Sequence, residues 1–157
     1  MIHHVWTVLC SRSVIDSERN NISLLDVIEQ INVVGPAPPP GNVLLQSELV
    51  SLWARSDPKT PANSEGRIRL IGPDGKQLTQ SLFPVNLTAF ERLRTRATIS
   101  VIPILSSGRY WIAVDLRENG EDAWKEVARV PVNVFYEVQA PVAAAAGPSS
   151  PSVKKPS

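Results

Sequence analysis

The second half of the chain alternates apolar and polar residues one by one. From about residue 95 to 138, apolar side chains fall on one side of each run and polar ones on the other. A period of two is typical of a β-strand with one buried face and one wet face. The apolar positions of the two clearest runs are Tyr110, Ile112, Val114 and Leu116, then Val130, Val132, Val134 and Tyr136. Their polar counterparts are Arg109, Trp111, Asp115 and Arg117, then Arg129, Asn133 and Glu137. Because Asn119-Gly120 between the runs is a strong turn signal, the pattern predicts a long closing hairpin.

Shorter apolar runs predict further strands earlier in the chain. They cover residues 3–10, 43–53, 67–71, 77–85 and 95–102, with Gly72-Pro73-Asp74-Gly75 as a tight turn. Residues 22–34 fit a helical stripe and a strand almost equally well, and their β-branched content favours strand. Residues 88–91 have the spacing of a capping box, which predicts a turn or two of helix over Phe90 and Leu93.

Proline, glycine and small polar residues mark the connections and the end of the domain. Residues 35–41 are rich in proline and predict a connection, and residues 56–66 predict a mobile loop. From residue 139 the chain consists largely of alanine, proline, serine and lysine. Such a segment cannot bury enough apolar surface to offset the entropy of ordering. We therefore predict a folded domain over 1–138 and a disordered tail over 139–157.

The number and spacing of these strands indicate the fold class. About eight strands with turns roughly every dozen residues are typical of a sandwich or barrel. Residues 107–114 are similar to the last hairpin of immunoglobulin-like folds. The sequence predicts an all-β, immunoglobulin-like Greek-key β-sandwich with at most one or two short helices.

Charge and composition exclude several classes of partner. The 157 residues are 43% hydrophobic and 20% charged, which is ordinary for a globular protein. Two of the 16 basic residues, Lys154 and Lys155, lie in the tail, so the domain is close to neutral against 15 acidic residues. A neutral domain lacks the electrostatic footprint of nucleic-acid binding and of a polybasic membrane contact.

The N-terminus and the cysteine content predict a cytoplasmic location. Residues 1–5 lack the charged and apolar regions of a secretory signal, and no apolar run approaches the ~18 residues of a membrane span. Cys10 is the single cysteine, which excludes an internal disulfide framework.

The first third of the chain carries a family resemblance. A short strand ends in Leu9-Cys10, and residues 21–31 read Asn-Ile-Ser-Leu-Leu-Asp-Val-Ile-Glu-Gln-Ile. Residues 70–76 read Leu-Ile-Gly-Pro-Asp-Gly-Lys, and Gly108-Arg109-Tyr110 follows downstream. Over residues 3–137 the chain resembles a group of small bacterial proteins catalogued only as a domain of unknown function. The resemblance implies a cytoplasmic β-sandwich and carries over no activity and no site residues.

The residues that most often carry chemistry do not converge in the sequence. His3 and His4 would point to opposite faces of one strand, so we interpret them as a solvated strand start rather than a metal site. Cys10 follows Val8-Leu9 and is interpreted as a buried thiol rather than a nucleophile. The acidic residues near the hairpin tip are interpreted as solvated turn residues rather than a calcium site: Asp115, Glu118, Glu121 and Asp122. We predict no metal, no cofactor and no catalytic residues.

Arginine and tryptophan supply the candidate binding residues. Arg67 and Arg69 share the outward face of one strand, and Arg94 and Arg96 share a face of another. If those strands were neighbours, the four arginines could bind an acidic partner or a phosphate; otherwise they form the wet face of a sheet. Among the four tryptophans, Trp111 lies on the polar side of its strand and Trp124 follows the hairpin tip. Both could anchor a partner or lie under a neighbouring loop.

Three functions are compatible with this pattern. The first is a non-enzymatic protein-interaction or scaffolding module, with an unknown protein or a second copy as partner. The second is a carbohydrate-binding domain that uses Trp111 or Trp124. The third is a small enzyme that uses Cys10 or the two histidines. The absence of a convergent acid, base, nucleophile or metal set favours the first.

Overall fold

The computed structural model describes residues 1–140, and within them the chain forms nine β-strands and no helix. The predicted tail over 139–157 therefore lies almost entirely outside the described residues. The strands are β1 Ile2–Asp16, β2 Asn21–Val27, β3 Gln30–Gly35, β4 Gly41–Arg55, β5 Ala62–Ile71, β6 Gln77–Leu87, β7 Arg92–Ile104, β8 Gly108–Glu118 and β9 Lys125–Val138.

The strands form two sheets with crossing connections. One sheet has four strands in the order β2-β1-β4-β7, and the other has five in the order β3-β9-β8-β5-β6. Neighbouring strands are antiparallel except for β3, which runs parallel to β9. The predicted all-β Greek-key sandwich is confirmed.

Alternation along the strands builds the core between the sheets. Trp53 of β4 is fully buried, and its indole Nε1 donates to the Thr95 hydroxyl of β7 at 2.9 Å. The predicted inward face of β8 is confirmed, since its four apolar side chains are buried: Tyr110, Ile112, Val114 and Leu116. The predicted face of β4 with Leu49 and Trp53 also faces the core.

A tyrosine corner fixes the entry into β8. The Tyr110 hydroxyl accepts hydrogen bonds from the amides of Leu105 (2.9 Å) and Ser106 (3.3 Å) and donates to the carbonyl of Ser106 (2.9 Å). This ring is buried at the connection between β7 and β8. A tyrosine at the start of this strand is a hallmark of immunoglobulin-like sandwiches. The hydrogen bonds of Tyr110 therefore link the turn between β7 and β8 to the core.

The ambiguous segment 22–34 is strand, as favoured, but it forms two strands in different sheets. Ile28 and Glu29 carry the chain from β2 in one sheet to β3 in the other. The amide of Ile28 donates to the carbonyl of Leu9 at 2.8 Å, which secures this crossing. The split explains why the chain has nine strands rather than about eight.

One predicted element is absent. No helix forms over Phe90 and Leu93, because Leu93 belongs to β7, pairs with Trp53 and packs against the core. Tertiary packing outweighs a four-residue capping signal there. The predicted hairpin between β8 and β9 is confirmed, with Asn119-Gly120 in its turn and a loop that extends to residue 124. The longer loop leaves Trp124 free to lie on the sheet.

The hairpin of β1 and β2 folds back over the outer face of the four-stranded sheet. Arg94 pairs with Leu52 in this sheet, and Leu52 pairs with Trp6. Yet the Arg94 guanidinium donates to the side chain (2.9 Å) and carbonyl (2.5 Å) of Asn20, at the hairpin tip. A straight strand would place Asp16 about 33 Å beyond Trp6. The hairpin therefore bends back beyond the end of the β1–β4 pairing.

The bent hairpin covers part of the sheet surface. Ser13 donates from its amide (2.9 Å) and its hydroxyl to the Glu48 carboxylate. Val50 points away from the core, and it is nonetheless 0% exposed. Cys10 is also buried, as predicted, and burial, with the nearby negative charge of Glu48, raises the pKa of its thiol.

His4 is not part of a solvated strand start, contrary to the prediction. A register shift between His4 and Trp6 turns the His4 ring inward, where it contacts Trp53 edge-on at 5.2 Å between ring centres. Its Nε2 lies 2.7 Å from the Thr7 hydroxyl. Burial, together with the neighbouring His3, lowers the pKa of His4 below its ordinary value of 6.5. His3 is exposed, as predicted.

Tyr110→Phe is expected to lower the free energy of unfolding by about 2 kcal/mol, because the backbone groups of the corner lose their partner. Tyr136→Phe removes one hydrogen bond, to the carbonyl of Ala37, and is the matched control, with an expected loss of about 1 kcal/mol or less. Urea denaturation of both variants measures the difference. Equal losses would show that the Tyr110 hydroxyl contributes no more to the free energy of unfolding than the single hydrogen bond of Tyr136.

The stability of the protein is expected to fall between pH 7 and pH 5. Because the pKa of His4 is lower in the folded state, the unfolded state binds more protons once the pH drops below about 6.5. His4→Gln should flatten this slope, and His3→Gln should keep most of it. Urea midpoints measured at several pH values test both variants. An unchanged slope in His4→Gln would contradict the assignment.

Candidate interaction surface

The outer face of the five-stranded sheet carries a dense polar cluster built by β5, β8 and β9. Alternation turns the polar positions of these strands away from the core, and the register sets them side by side. Arg67 lies opposite Asp115, and Glu65 lies opposite Arg117. Trp111 lies opposite Pro131. The sheet backbone therefore fixes the spacing of this face.

Asp115 occupies the centre of the cluster and is only 1% exposed. Its Oδ2 accepts from Nε of Arg67 (2.9 Å) and Nε of Arg69 (2.6 Å), and its Oδ1 accepts from Nη2 of Arg69 (2.8 Å). Burial by itself would raise the pKa of Asp115, but the hydrogen bonds from Arg69 and Arg67 outweigh it and lower that pKa. The interpretation of Asp115 as a solvated turn residue is therefore wrong.

The ion pairs continue from Arg69 into β9. Nη2 of Arg69 lies 3.1 Å from Oε2 of Glu126. Arg129 binds the same carboxylate through two bonds of 2.8 Å, from Nε and from Nη2. The hydrogen bonds from Arg129 lower the pKa of Glu126. Glu126 thus connects Arg69 of β5 with Arg129 of β9.

Both candidate tryptophans lie against arginines of this face. The guanidinium carbons of Arg67 and Arg117 lie 4.4 and 4.6 Å from the ring centre of Trp124. Those of Arg109 and Arg129 lie 5.8 and 5.6 Å from the ring centre of Trp111. These are cation–π distances. We call the resulting continuous row the arginine–tryptophan ladder, consisting of Arg109, Trp111, Arg129, Glu126, Arg69, Asp115, Arg67, Trp124, Arg117 and Glu65.

The ladder carries a net positive charge and one arginine with spare donors. It holds five arginines and three carboxylates. Arg109 is exposed, and its Nε donates to the Asn133 side chain at 3.3 Å. No carboxylate within the described residues forms a salt bridge with it. The Arg109 guanidinium can therefore donate hydrogen bonds to an anionic group of a ligand.

Exposed apolar side chains border the ladder on both sides. Val34 of β3 is 64% exposed and Phe135 of β9 is 54% exposed, and both point outward at one border. Leu82 of β6 pairs with Arg67 at the other border and is 56% exposed. Arginine and tryptophan next to exposed apolar groups are the composition of interface hot spots. This face therefore carries the side-chain types that are enriched in protein interfaces.

The structure brings together four of the six predicted binding residues. Arg67, Arg69, Trp111 and Trp124 all belong to the ladder. Arg94 and Arg96 lie on β7, in the other sheet, so the conditional patch of four arginines does not form. Arg94 instead holds the hairpin tip. Sequence reasoning missed the ladder arginines of β8 and β9 as binding residues, although alternation had placed them on the same face as Trp111.

Within residues 1–140, no three His, Cys, Asp or Glu side chains are grouped so that they could hold a metal ion. The same residues contain no helix that is long and apolar enough to cross a membrane.

Comparison with known proteins identifies no family. No family model and no curated protein matches the chain. Among solved structures, a family 123 glycoside hydrolase from Clostridium perfringens is similar to it with a TM-score of 0.45 and 10% identity. The match covers 89% of this chain and 28% of the hydrolase. The N-terminal domain of PorA matches with a TM-score of 0.28 and 14% identity, over 84% of this chain and 98% of that domain.

Asp115→Asn is expected to destabilise the protein by about 3 kcal/mol at pH 7, because it leaves two partly buried arginines without their shared carboxylate. Glu65→Gln removes the carboxylate that pairs with Arg117. Because this pair is more exposed than the pairs of Asp115, the variant is the control, with an expected loss below about 1 kcal/mol. Urea denaturation measures both losses.

The effect of Asp115→Asn should also depend on pH. The stability contributed by the ionised carboxylate is present above the ordinary pKa of 3.8 and is lost as the pH falls through the lower, folded-state pKa. The wild type and the variant should therefore converge in acid. A gap that persists unchanged at low pH would assign the loss to packing.

Proposed function

We propose that this protein is a non-enzymatic protein-interaction module that binds an acidic surface of another protein through the arginine–tryptophan ladder. The observation that carries this proposal is the fixed arrangement of five guanidinium groups on a rigid sheet. Their bonds to Asp115 and Glu126 and their contacts with the two indoles hold them in place before a partner arrives. Preorganised side chains lose less entropy on binding.

Electrostatics and exposure support a protein as the ligand. The net positive face attracts an acidic partner and raises its rate of association. The exposed apolar side chains of Val34, Phe135 and Leu82 supply the desolvated contacts that a protein interface needs.

The two alternative functions have less support. Each candidate indole already has two guanidinium groups against it, which leaves less ring surface for stacking on a sugar. Cys10 is buried at the base of the folded-back hairpin, and its raised pKa keeps the thiol protonated. A protonated, buried thiol is a poor nucleophile.

Affinity capture with matched variants tests the proposal. Arg109→Glu combined with Phe135→Ser changes the ladder face without touching an ion pair. Arg12→Glu combined with Val14→Ser makes the same charge change and a similar apolar-to-serine change on the hairpin over the other sheet. Quantitative mass spectrometry should find proteins that the wild type and the hairpin variant retain and the ladder variant loses.

Purified partners then decide the outcome. For a partner captured in this way, the ladder variant should raise Kd at least tenfold, and added salt should weaken wild-type binding. Equal binding by all three proteins would refute the proposed surface. Specific binding to a glycan array, abolished by Trp111→Ala, would favour the carbohydrate-binding function instead.

A further inference from the structure

The two long sides of the sandwich differ in how they are closed. On one side, Ile28 and Glu29 cross between the sheets, and the carbonyl of Glu29 accepts from the amide of Asn133 at 2.9 Å. On the other side, β6 and β7 are the edge strands of opposite sheets. The chain joins them only at one end, through residues 88–91. This second side is open along most of its length.

Of these two edge strands, β7 is better suited to pair with a further strand. β6 carries Pro84 in its second half, and a proline has no amide donor to offer a further strand. β7 has neither proline nor glycine from Arg92 to Ile102. Within the described residues, no strand pairs with its free edge. Long unpaired edges bind further strands unless they are protected.

An apolar cavity of about 230 Å³ opens between β6 and β7 on this open side.

This open-side cavity is lined by apolar side chains from both sheets. Its walls include Leu49 of β4, Ile68 of β5, Phe83 of β6 and Ala97 of β7. Gly66 lies directly against the Phe83 ring, so that a Cβ there would overlap the ring. An apolar cavity of about 150 Å³ can hold a benzene-sized group. The open side therefore has room for one large apolar side chain.

A row of positive charge runs along the outer face of the same strand. Arg92, Arg94 and Arg96 alternate with the core-facing residues of β7, and the strand has no acidic residue. Within the described residues, none of the three forms a salt bridge with a carboxylate. A strand added beside β7 would place its side chains alternately toward the cavity and toward this row.

We propose that the free edge of β7 binds an extended segment of another protein in which apolar and acidic residues alternate. The segment adds a fifth strand to the four-stranded sheet through backbone hydrogen bonds. One apolar side chain fills the cavity beside Phe83, and the acidic side chains face Arg92 and Arg96. This surface lies on a different sheet from the ladder, so it does not depend on the function proposed above.

Charge disfavours a second copy of this chain as the occupant. A second β7 would bring three more arginines and no carboxylate to the row. An acidic segment neutralises the row instead, which is why we assign it to a different protein.

Synthetic nine-residue peptides test the proposal on the full chain. The probe alternates leucine and glutamate; one control replaces glutamate with lysine, and another carries N-methyl groups on alternate backbone amides. Fluorescence anisotropy of labelled peptides should show binding of the probe alone. Protection of β7 amides from hydrogen exchange should accompany it.

Matched variants locate the binding site. Arg96→Glu should raise the Kd of the probe at least tenfold, and Ala97→Leu should weaken it by narrowing the cavity. Arg109→Glu makes the same charge change on the ladder and should leave the Kd unchanged. Equal binding of the probe and the N-methylated peptide would overturn the proposal. So would a dimer, seen by light scattering, in which the β7 amides are protected from hydrogen exchange without peptide, since a second copy would then be the occupant.

Discussion

The buried carboxylate of Asp115 is the constraint that organises the outer face of the five-stranded sheet. A charge removed from water must be compensated, and here Arg67 and Arg69 compensate it with three hydrogen bonds. Those bonds fix Arg67 against Trp124 and Arg69 against Glu126. The ladder therefore follows from one acidic residue placed on the polar side of a central strand.

The two sheets present different chemistry to solvent. The five-stranded sheet exposes arginines that are held by carboxylates and indoles. The four-stranded sheet is partly covered by its own hairpin, which buries Val50 and Cys10 on its outer side. Its edge strand β7 remains open. One small sandwich thus presents a charged face and a free edge, and we propose that each binds protein in a different mode.

Alternation predicted the fold because it depends on local chemistry. The inward residues of β8, such as Tyr110 and Ile112, must leave water, and a period of two assigns them to one face of a strand. The same alternation placed Arg67 and Arg69 on the outward face. The helix over Phe90 failed because a short capping signal competes weakly with the burial of Leu93.

The sequence by itself determined the strands, their faces and the class of sandwich, since each depends on residues close together in the chain. Only the tertiary structure decided which arginines meet. Arg94 and Arg96 lie in the other sheet from Arg67, and Asp115 is 48 residues away from Arg67 in the chain. Strand order and the fold-back of the first hairpin arise from contacts between distant segments. A pattern of period two carries no information about such contacts, because it fixes a face and not a neighbour.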